Sequence, residues 1–395
     1  MNSSFNSPFV LPVNLNINNV SNTKAPQPLK GWTLAVKDLF HIDGIVTSAG
    51  NPDWADSHPL PTKTSETVSR LLDAGVQYVG KTITDELAYS LNGQNIHYPA
   101  LVNCLDNERI CGGSSSGSAV AVGRKLARIG LGTDTGGSIR IPASYNGLVG
   151  FRPSHGLISL KDVVPLAPSF DTAGWITNNI EDAVEIGKFL LPKSVEKHFM
   201  AAQPLVLNNL VESCEFKNEL YTWLDSKFDK NWQSSLAVTS ELLKDASDAF
   251  RVLQGREIWQ THGDWIKNTQ PRFADDIQQR FQWCSTLSAN DELAAIEQQQ
   301  RLIKTVSLIL NQQHYIVIPT TPGPAPRRDT SAREIAEYRK KLMQFTCIAG
   351  LTGCPQLHMP LFQQKNTAYG VSIIGPKNSD LELLFLGKQL MENIE

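Results

Sequence analysis

Gly132-Thr-Asp-Thr-Gly-Gly-Ser-Ile-Arg-Ile-Pro-Ala143 follows a short apolar run, Ile129 to Leu131, so a strand feeds directly into a turn that carries two adjacent glycines and a serine. Upstream lies a second glycine segment, Gly112-Gly-Ser-Ser-Ser-Gly-Ser118, followed by small apolar residues with helical spacing from Ser118 to Ala127. A flexible linker has Gly-Ser composition but is not followed at once by a helix, a strand and another glycine loop. These glycines therefore read as turns at which backbones pack closely.

Working outward, Thr33-Leu-Ala-Val-Lys-Asp-Leu-Phe40 alternates as a strand ending in charge, and Ser65 to Ala74 reads as a capped helix that stops at Gly75 and feeds a strand at Val76 to Val79. Tyr315 to Pro319 reads as a buried strand and Ala332 to Ala349 as a helix. Leu357 to Pro360 and Gly370 to Gly375 read as strands, and Leu381 to Glu392 as a closing helix. Strands alternating with helices at both ends predict a mixed α/β sheet layered by helices. Residues 1–30 read as an irregular lead-in. Residues 31–395 read as a single domain, with its core at 31–193 and 311–395 and a helical insert at about 194–310 that carries five of the eight tryptophans.

The 395-residue chain has 36 basic and 39 acidic residues, a balance that provides no field for nucleic acid or an anionic membrane and suits a small neutral ligand. Six cysteines without a C-x-x-C pair or clustered histidines argue against a zinc site and against a disulfide framework, and imply reduced thiols in a cytoplasmic protein. The first thirty residues lack the basic start and apolar stretch of a signal peptide, and no apolar run reaches the roughly 20 residues of a membrane span.

Two motif readings compete for the first glycine segment. A phosphate loop needs a lysine where Ser118 stands. A Gly-x-Ser-x-Gly elbow at Gly113 to Gly117 makes Ser115 the nucleophile, but the preceding stretch, Asn103 to Arg109, is polar where an elbow needs a hydrophobic strand. None of His155, His198, His262, His314 or His358 has flanks that suggest a catalytic role.

Taken together, the two glycine segments and Gly147-Leu-Val-Gly-Phe-Arg-Pro-Ser-His-Gly156 resemble the amidase signature family from end to end. Ala35-Val-Lys-Asp38, Gly80-Lys-Thr-Ile-Thr-Asp-Glu86 and Pro319-Thr-Thr-Pro322 extend the likeness over most of the chain outside 1–30 and 194–310. The resemblance implies an α/β fold with one large mixed, mainly parallel sheet between helices. It also implies an amidohydrolase with Ser138 as nucleophile, Ser114 as the cis-peptide serine that bridges, and Lys37 as base. Cys111 stands where the family usually has proline, a loop variation. Within the family the likeness is to short indole-3-acetamide hydrolases, carried by Gly50-Asn-Pro-Asp-Trp54, Ala88 to Gly93, Pro142 to Tyr145 and Ser169 to Thr172. That subgroup implies an aromatic acyl pocket around Trp54, Tyr145 and Trp175.

The chemistry fits these residue types. An amide is a poor electrophile with a poor leaving group, so its cleavage needs an activated nucleophile, oxyanion stabilisation and a proton for the amine. The backbone N–H groups of Thr135, Gly136, Gly137 and Ser138 are the expected oxyanion hole, where one donor is typically worth about 3–4 kcal/mol. With no histidine in either glycine segment, the base that the resemblance implies is a lysine, and it works only if burial depresses its ordinary pKa of about 10.4 by ~3 units. Asp134, Arg140 and Ser115 are the expected supports of the glycine loop, with Asp171 a lesser candidate. The expected reaction is hydrolysis of a small primary amide to carboxylate and ammonia through an acyl-enzyme. No metal or organic cofactor, no nucleic acid and no membrane enter it, and the assembly is a monomer or homodimer. The alternatives are a glutamine amidotransferase A-type subunit and a non-catalytic interaction protein on the same fold.

Overall fold

A computed structural model describes residues 6–10, 26–192, 203–311 and 314–392. The remainder of the expected lead-in, His198 and the 193–202 boundary where the insert is expected to begin lie outside the described residues. Ten strands form one sheet: β1 (Thr33–Lys37), β2 (Gln77–Thr82), β3 (Ile129–Asp134), β4 (Val149–Arg152), β5 (Thr172–Thr177), β6 (Gln203–Leu207), β7 (Gln233–Ser235), β8 (His314–Pro319), β9 (Gln356–Gln364) and β10 (Thr367–Ile374). Their order is β2-β1-β3-β5-β4-β9-β10-β8-β6-β7.

The sheet is mixed, as expected, but it is not mainly parallel. Only the flanks, β2-β1-β3 and β8-β6-β7, pair in parallel. Every junction from β3 through β5, β4, β9 and β10 to β8 is antiparallel. At β9 and β10 the cause is local, since Lys365 and Asn366 form a tight turn with Lys365 at φ +52°, which folds the chain straight back.

Twelve helices are described: α1 (Pro52–Ser57), α2 (Glu66–Asp73), α3 (Ser116–Gly123), α4 (Arg140–Tyr145), α5 (Ile180–Leu190), α6 (Asn208–Glu212), α7 (Lys217–Phe228), α8 (Ser240–Thr269), α9 (Asp275–Thr286), α10 (Ala289–Leu310), α11 (Ala332–Thr352) and α12 (Asp380–Met391). The small-residue helix α3 closes onto the face of β3 that carries Gly130 and Gly132. A side chain at Gly130 would collide with the Ser118 carbonyl, and one at Gly132 with the Ser115 side chain. Alternate residues of β3 point the other way, so Leu131 and its β5 partner Trp175 face α5, where the indole donates to the Ala183 carbonyl at 3.2 Å.

Between 194 and 310, expected as a helical insert, the chain also supplies β6 and β7 to the sheet. Besides α6 and α7, its helices are α8 to α10, the last of which starts at a capping box between Ser288 and Asp291. A second apolar cluster seats these helices on the body of the molecule, joining Phe273, Phe281 and Cys284 to Leu39, Tyr89 and Leu166. No described helix is long and apolar enough to cross a membrane.

Candidate active site

Because β1 and β3 run parallel, their C-terminal ends open on the same edge, and they deliver Lys37 and Thr133-Asp134 side by side. The loop after β3 ends at Ser138, and the first turn before α3 supplies Ser114 and Ser115. The two loops are tied together where the Ser115 N–H donates to the Ser138 carbonyl at 3.1 Å. The Gly113–Ser114 peptide bond is cis. The site is therefore built from strand ends and one helix N-terminus, all within the first half of the chain.

Lys37 is fully buried. Its Nζ lies 2.8 Å from Ser114 Oγ, 2.7 Å from Thr133 Oγ1 and 3.5 Å from the Thr133 carbonyl. Among the described residues it makes no ion pair, whereas Lys81, beside it on β2, is paired with Asp38 at 2.8 Å. Burial pushes the Lys37 pKa down to about 7, and the more distant charges of Asp85, Asp171 and Asp134 offset only part of that cost. The two Thr133 oxygens accept the amine's N–H bonds, which leaves the lone pair of neutral Lys37 for the Ser114 hydroxyl.

Asp134 is also fully buried, with the opposite surroundings. Its Oδ1 accepts from Arg140 at 2.7 Å, Arg152 at 2.9 Å and the Gly137 N–H at 2.9 Å, while Oδ2 accepts from the Ile139 N–H at 3.0 Å and Arg140 Nε at 3.0 Å. Burial alone would raise this carboxyl, but the two guanidiniums outweigh it and hold it well below the usual carboxylate range. Arg140 also donates to Gln356 at 2.6 Å and to the Thr346 carbonyl at 3.0 Å. Asp134 and Arg140, expected as supports of the glycine loop, are paired with each other, and Arg152, inside the quoted Phe-Arg-Pro motif but given no role there, pairs with the same carboxylate. Asp171 accepts the Thr135 hydroxyl at 2.6 Å and the Leu166 N–H at 2.8 Å, bridging the glycine loop to the 160–168 segment.

Gly137 sits at φ +121°, and a side chain there would collide with Ile141. Only glycine fits. Because its N–H is given to Asp134, it leaves the candidate oxyanion set, while Thr135, Gly136 and Ser138 keep N–H groups that no described residue accepts. Ser138 is 3% exposed. Among the described residues its hydroxyl makes no hydrogen bond, so it is not joined to Ser114 here. Ser115, the rival nucleophile, is fully buried with its hydroxyl given to the Thr133 carbonyl at 3.1 Å, which is a supporting contact.

Ser138 opens on a narrow cleft walled by Tyr89, Leu91, Leu166, Gln254, Arg339 and Met343. The aromatic residues expected there are elsewhere. Trp175 lies in the core against Phe151, and its β5 position explains why. Tyr145 is buried at the end of α4, its hydroxyl 3.4 Å from that of Tyr338. Trp54 stacks on His58 with ring centroids 3.7 Å apart and packs beside Trp265. None of the three walls the cleft. An adjoining apolar cavity of about 300 Å³ shares Leu166 with the cleft and has Leu39, Leu160 and Val163 among its walls, with Thr133 and Asp171 as its polar lining. Among the described residues no group of three or more His, Cys, Asp or Glu is placed to hold a metal ion.

Sequence missed Thr133, Arg339 and Gln254. Thr133 lies in the quoted motif, and the strand period that points it away from α3 was the available signal. The other two come from α11 and α8, where nothing local marks them.

A family model described as Amidase matches residues 16–213 and 215–384. Amidase 1 of Arabidopsis thaliana is 34% identical over 402 residues, covering 94% of this chain and 95% of that protein. The chloroplastic outer envelope protein 64 of Arabidopsis thaliana is 33% identical, covering 91% of this chain and 66% of that protein. A crystal structure of an amidase superposes with a TM-score of 0.82 at 29% identity, covering 93% of this chain and 85% of the other.

Proposed function

The chain belongs to the amidase signature family and is a hydrolase of amides, and from that premise we propose that it cleaves small primary amides with Ser138 as nucleophile, Ser114 as bridge and Lys37 as base. The observation that supports this reading most is a fully buried lysine with no carboxylate partner among the described residues, hydrogen-bonded to a serine and held near pKa 7 by burial. A lysine in that state is a base at neutral pH.

In the proposed reaction the substrate carbonyl enters the cleft and Ser138 Oγ attacks its carbon. The Ser138 proton passes to Ser114, whose own proton passes to Lys37. The N–H groups of Thr135, Gly136 and Ser138 receive the oxyanion, in backbone that the Asp134 bonds hold fixed before substrate arrives. The proton then returns through Ser114 to the nitrogen, the C–N bond breaks, and ammonia leaves. Water attacks the resulting ester by the same relay and releases the carboxylate and Ser138.

The substrate reading extends to aryl-acetamides, indole-3-acetamide among them. Its support is the apolar cavity of about 300 Å³ beside Leu166, large enough for an aromatic ring. Six cysteines, free among the described residues, support a reducing, cytoplasmic setting.

The test is labelling with a fluorophosphonate and mapping of the modified peptide, together with ammonia release from indole-3-acetamide, phenylacetamide and short aliphatic amides. Label on Ser138 and ammonia from at least one amide are expected. Label on Ser115, or no label and no ammonia, removes the proposal.

A further inference from the structure

α11 presents Arg339, Met343, Thr346 and Gly350 as one stripe, spaced by three or four residues, against the nucleophile loop. Side chains built at Gly136 and Gly137 would approach Met343 and Thr346 respectively, and Gly350 lies against the Thr135 carbonyl. The stripe continues outward to Arg339, which walls the Ser138 cleft together with Gln254 of α8.

Both side chains are uncommitted. Among the described residues the Arg339 guanidinium makes no hydrogen bond and no ion pair, and its ring contact is a distant one, 5.9 Å from the centre of Tyr89. Gln254 is 6% exposed and its amide likewise has no hydrogen-bond partner among the described residues. Nearby arginines are engaged: Arg280 donates to the Tyr89 carbonyl at 2.9 Å and pairs with Asp276 at 2.5 Å, and Arg251 lies 3.8 Å from Asp248. Arg339 is half-buried, and burial together with the neighbouring Arg280 cation presses its pKa down to about 9, so it remains charged at neutral pH. The acidic group whose charge reaches Arg339 through space, Asp276, is paired with Arg280 and makes no ion pair with Arg339, so this cation is not neutralised at bonding distance and favours an anion that arrives from outside. A planar guanidinium and a carboxamide, both with free N–H donors, match the two oxygens of a carboxylate.

We propose that Arg339, with Gln254, forms a carboxylate-reading subsite of the Ser138 cleft, so that amides whose acyl half bears a carboxylate, such as the monoamides of short dicarboxylic acids, are preferred over their neutral counterparts. This deepens the amide-hydrolase reading and rests on it. The carboxylate takes no part in bond making or breaking. It anchors the acyl half while Ser138 attacks the amide carbonyl.

The experiment measures kcat/KM on two matched pairs, succinamate against butyramide and 4-carboxyphenylacetamide against phenylacetamide, for the wild type, R339K and R339M. Charged hydrogen bonds of this kind correspond to a preference of about 10- to 100-fold for the anionic member. R339M is expected to collapse that ratio towards one, with the change in KM, and R339K to keep part of it because the charge remains without the fork. A wild-type ratio of one or below, or a ratio unchanged in R339M, overturns the subsite. Thermal melting of each variant separates misfolding from loss of preference, and R339K reports on the subsite if R339M does not fold. If no amide of any kind is cleaved and Ser138 takes no label, the hydrolase reading fails. The subsite is then decided by titrating succinate into wild type and R339K at low salt: binding that weakens in R339K supports it, and absence of binding overturns it.

Discussion

Lys37 and Asp134 stand one strand apart, both fully buried and both on the edge where β1 and β3 end, yet the fold treats them in opposite ways. Asp134 is enclosed by two guanidiniums and several backbone N–H groups. Lys37 is given two oxygens of a threonine and one serine, and no carboxylate at bonding distance. The same desolvation therefore produces a fixed charge at one and a labile proton at the other. A fully satisfied carboxylate locks a loop, while an unpaired amine is poised to give up its proton.

The largest break of this contrast is Lys37→Ala. It is expected to lower kcat by about 10²- to 10⁴-fold, the usual contribution of a positioned base, while the melting temperature changes little, because the packing and hydrogen bonds lost are offset by relief of the desolvation penalty of the amine. Substantial turnover at neutral pH would sink the base assignment. Asp134→Asn is the complementary break. It leaves Arg140 and Arg152 buried without their counter-ion, and should cost about 3–5 kcal/mol in denaturant unfolding. A stable, active D134N would show that the loop does not depend on this carboxylate.

The pH profile sharpens the comparison at its titrating member. Lys37 is active when neutral, so kcat/KM should rise roughly tenfold per pH unit on the acid side and level off above about 7. Its pKa is depressed from 10.5 in the folded state, so between about 7 and 10.5 the unfolded chain binds the extra proton. Lys37 therefore carries a desolvation penalty that shrinks, and stability rises, as pH rises through that window. A flat activity profile between pH 5 and 9 would contradict the first statement, and denaturant stability that does not rise between pH 7 and 10 relative to Lys37→Ala the second. Smaller still, Thr133→Val removes an acceptor that favours the charged amine. Its acid limb should move to lower pH, with a loss of kcat that stays below about tenfold if positioning is worth one neutral hydrogen bond. Least affected should be Ser115→Ala, which loses one buried hydrogen bond, about 1 kcal/mol of stability, and keeps its activity. Complete inactivity of a folded S115A would revive the elbow reading.

The glycine segments were legible because their constraint is local. A residue at φ +121° whose Cβ would strike Ile141 has to be glycine wherever the chain goes next, and β3 with its loop reads off that pattern. Helices with strong caps were legible for the same reason: α11, with its capping box of Ser331 and Glu334, begins where the expected helix begins. β5 was not. Thr-Ala-Gly-Trp-Ile-Thr does not alternate, because a central strand is buried on both faces. Trp175 was accordingly expected in a pocket, and the structure puts it in the core.

The sequence by itself thus determined the backbone that presents Ser138, Ser114 and Lys37, since glycine sterics and strand period act over a few residues. Tertiary structure alone decided the rest. The antiparallel centre of the sheet depends on which distant strands meet. The low pKa of Lys37 depends on what surrounds it, above all on burial, which the distant carboxylates of Asp85, Asp171 and Asp134 offset only in part. The cleft around Ser138 takes Arg339 from α11 and Gln254 from α8, residues more than a hundred positions away in the chain, which only packing brings to that serine.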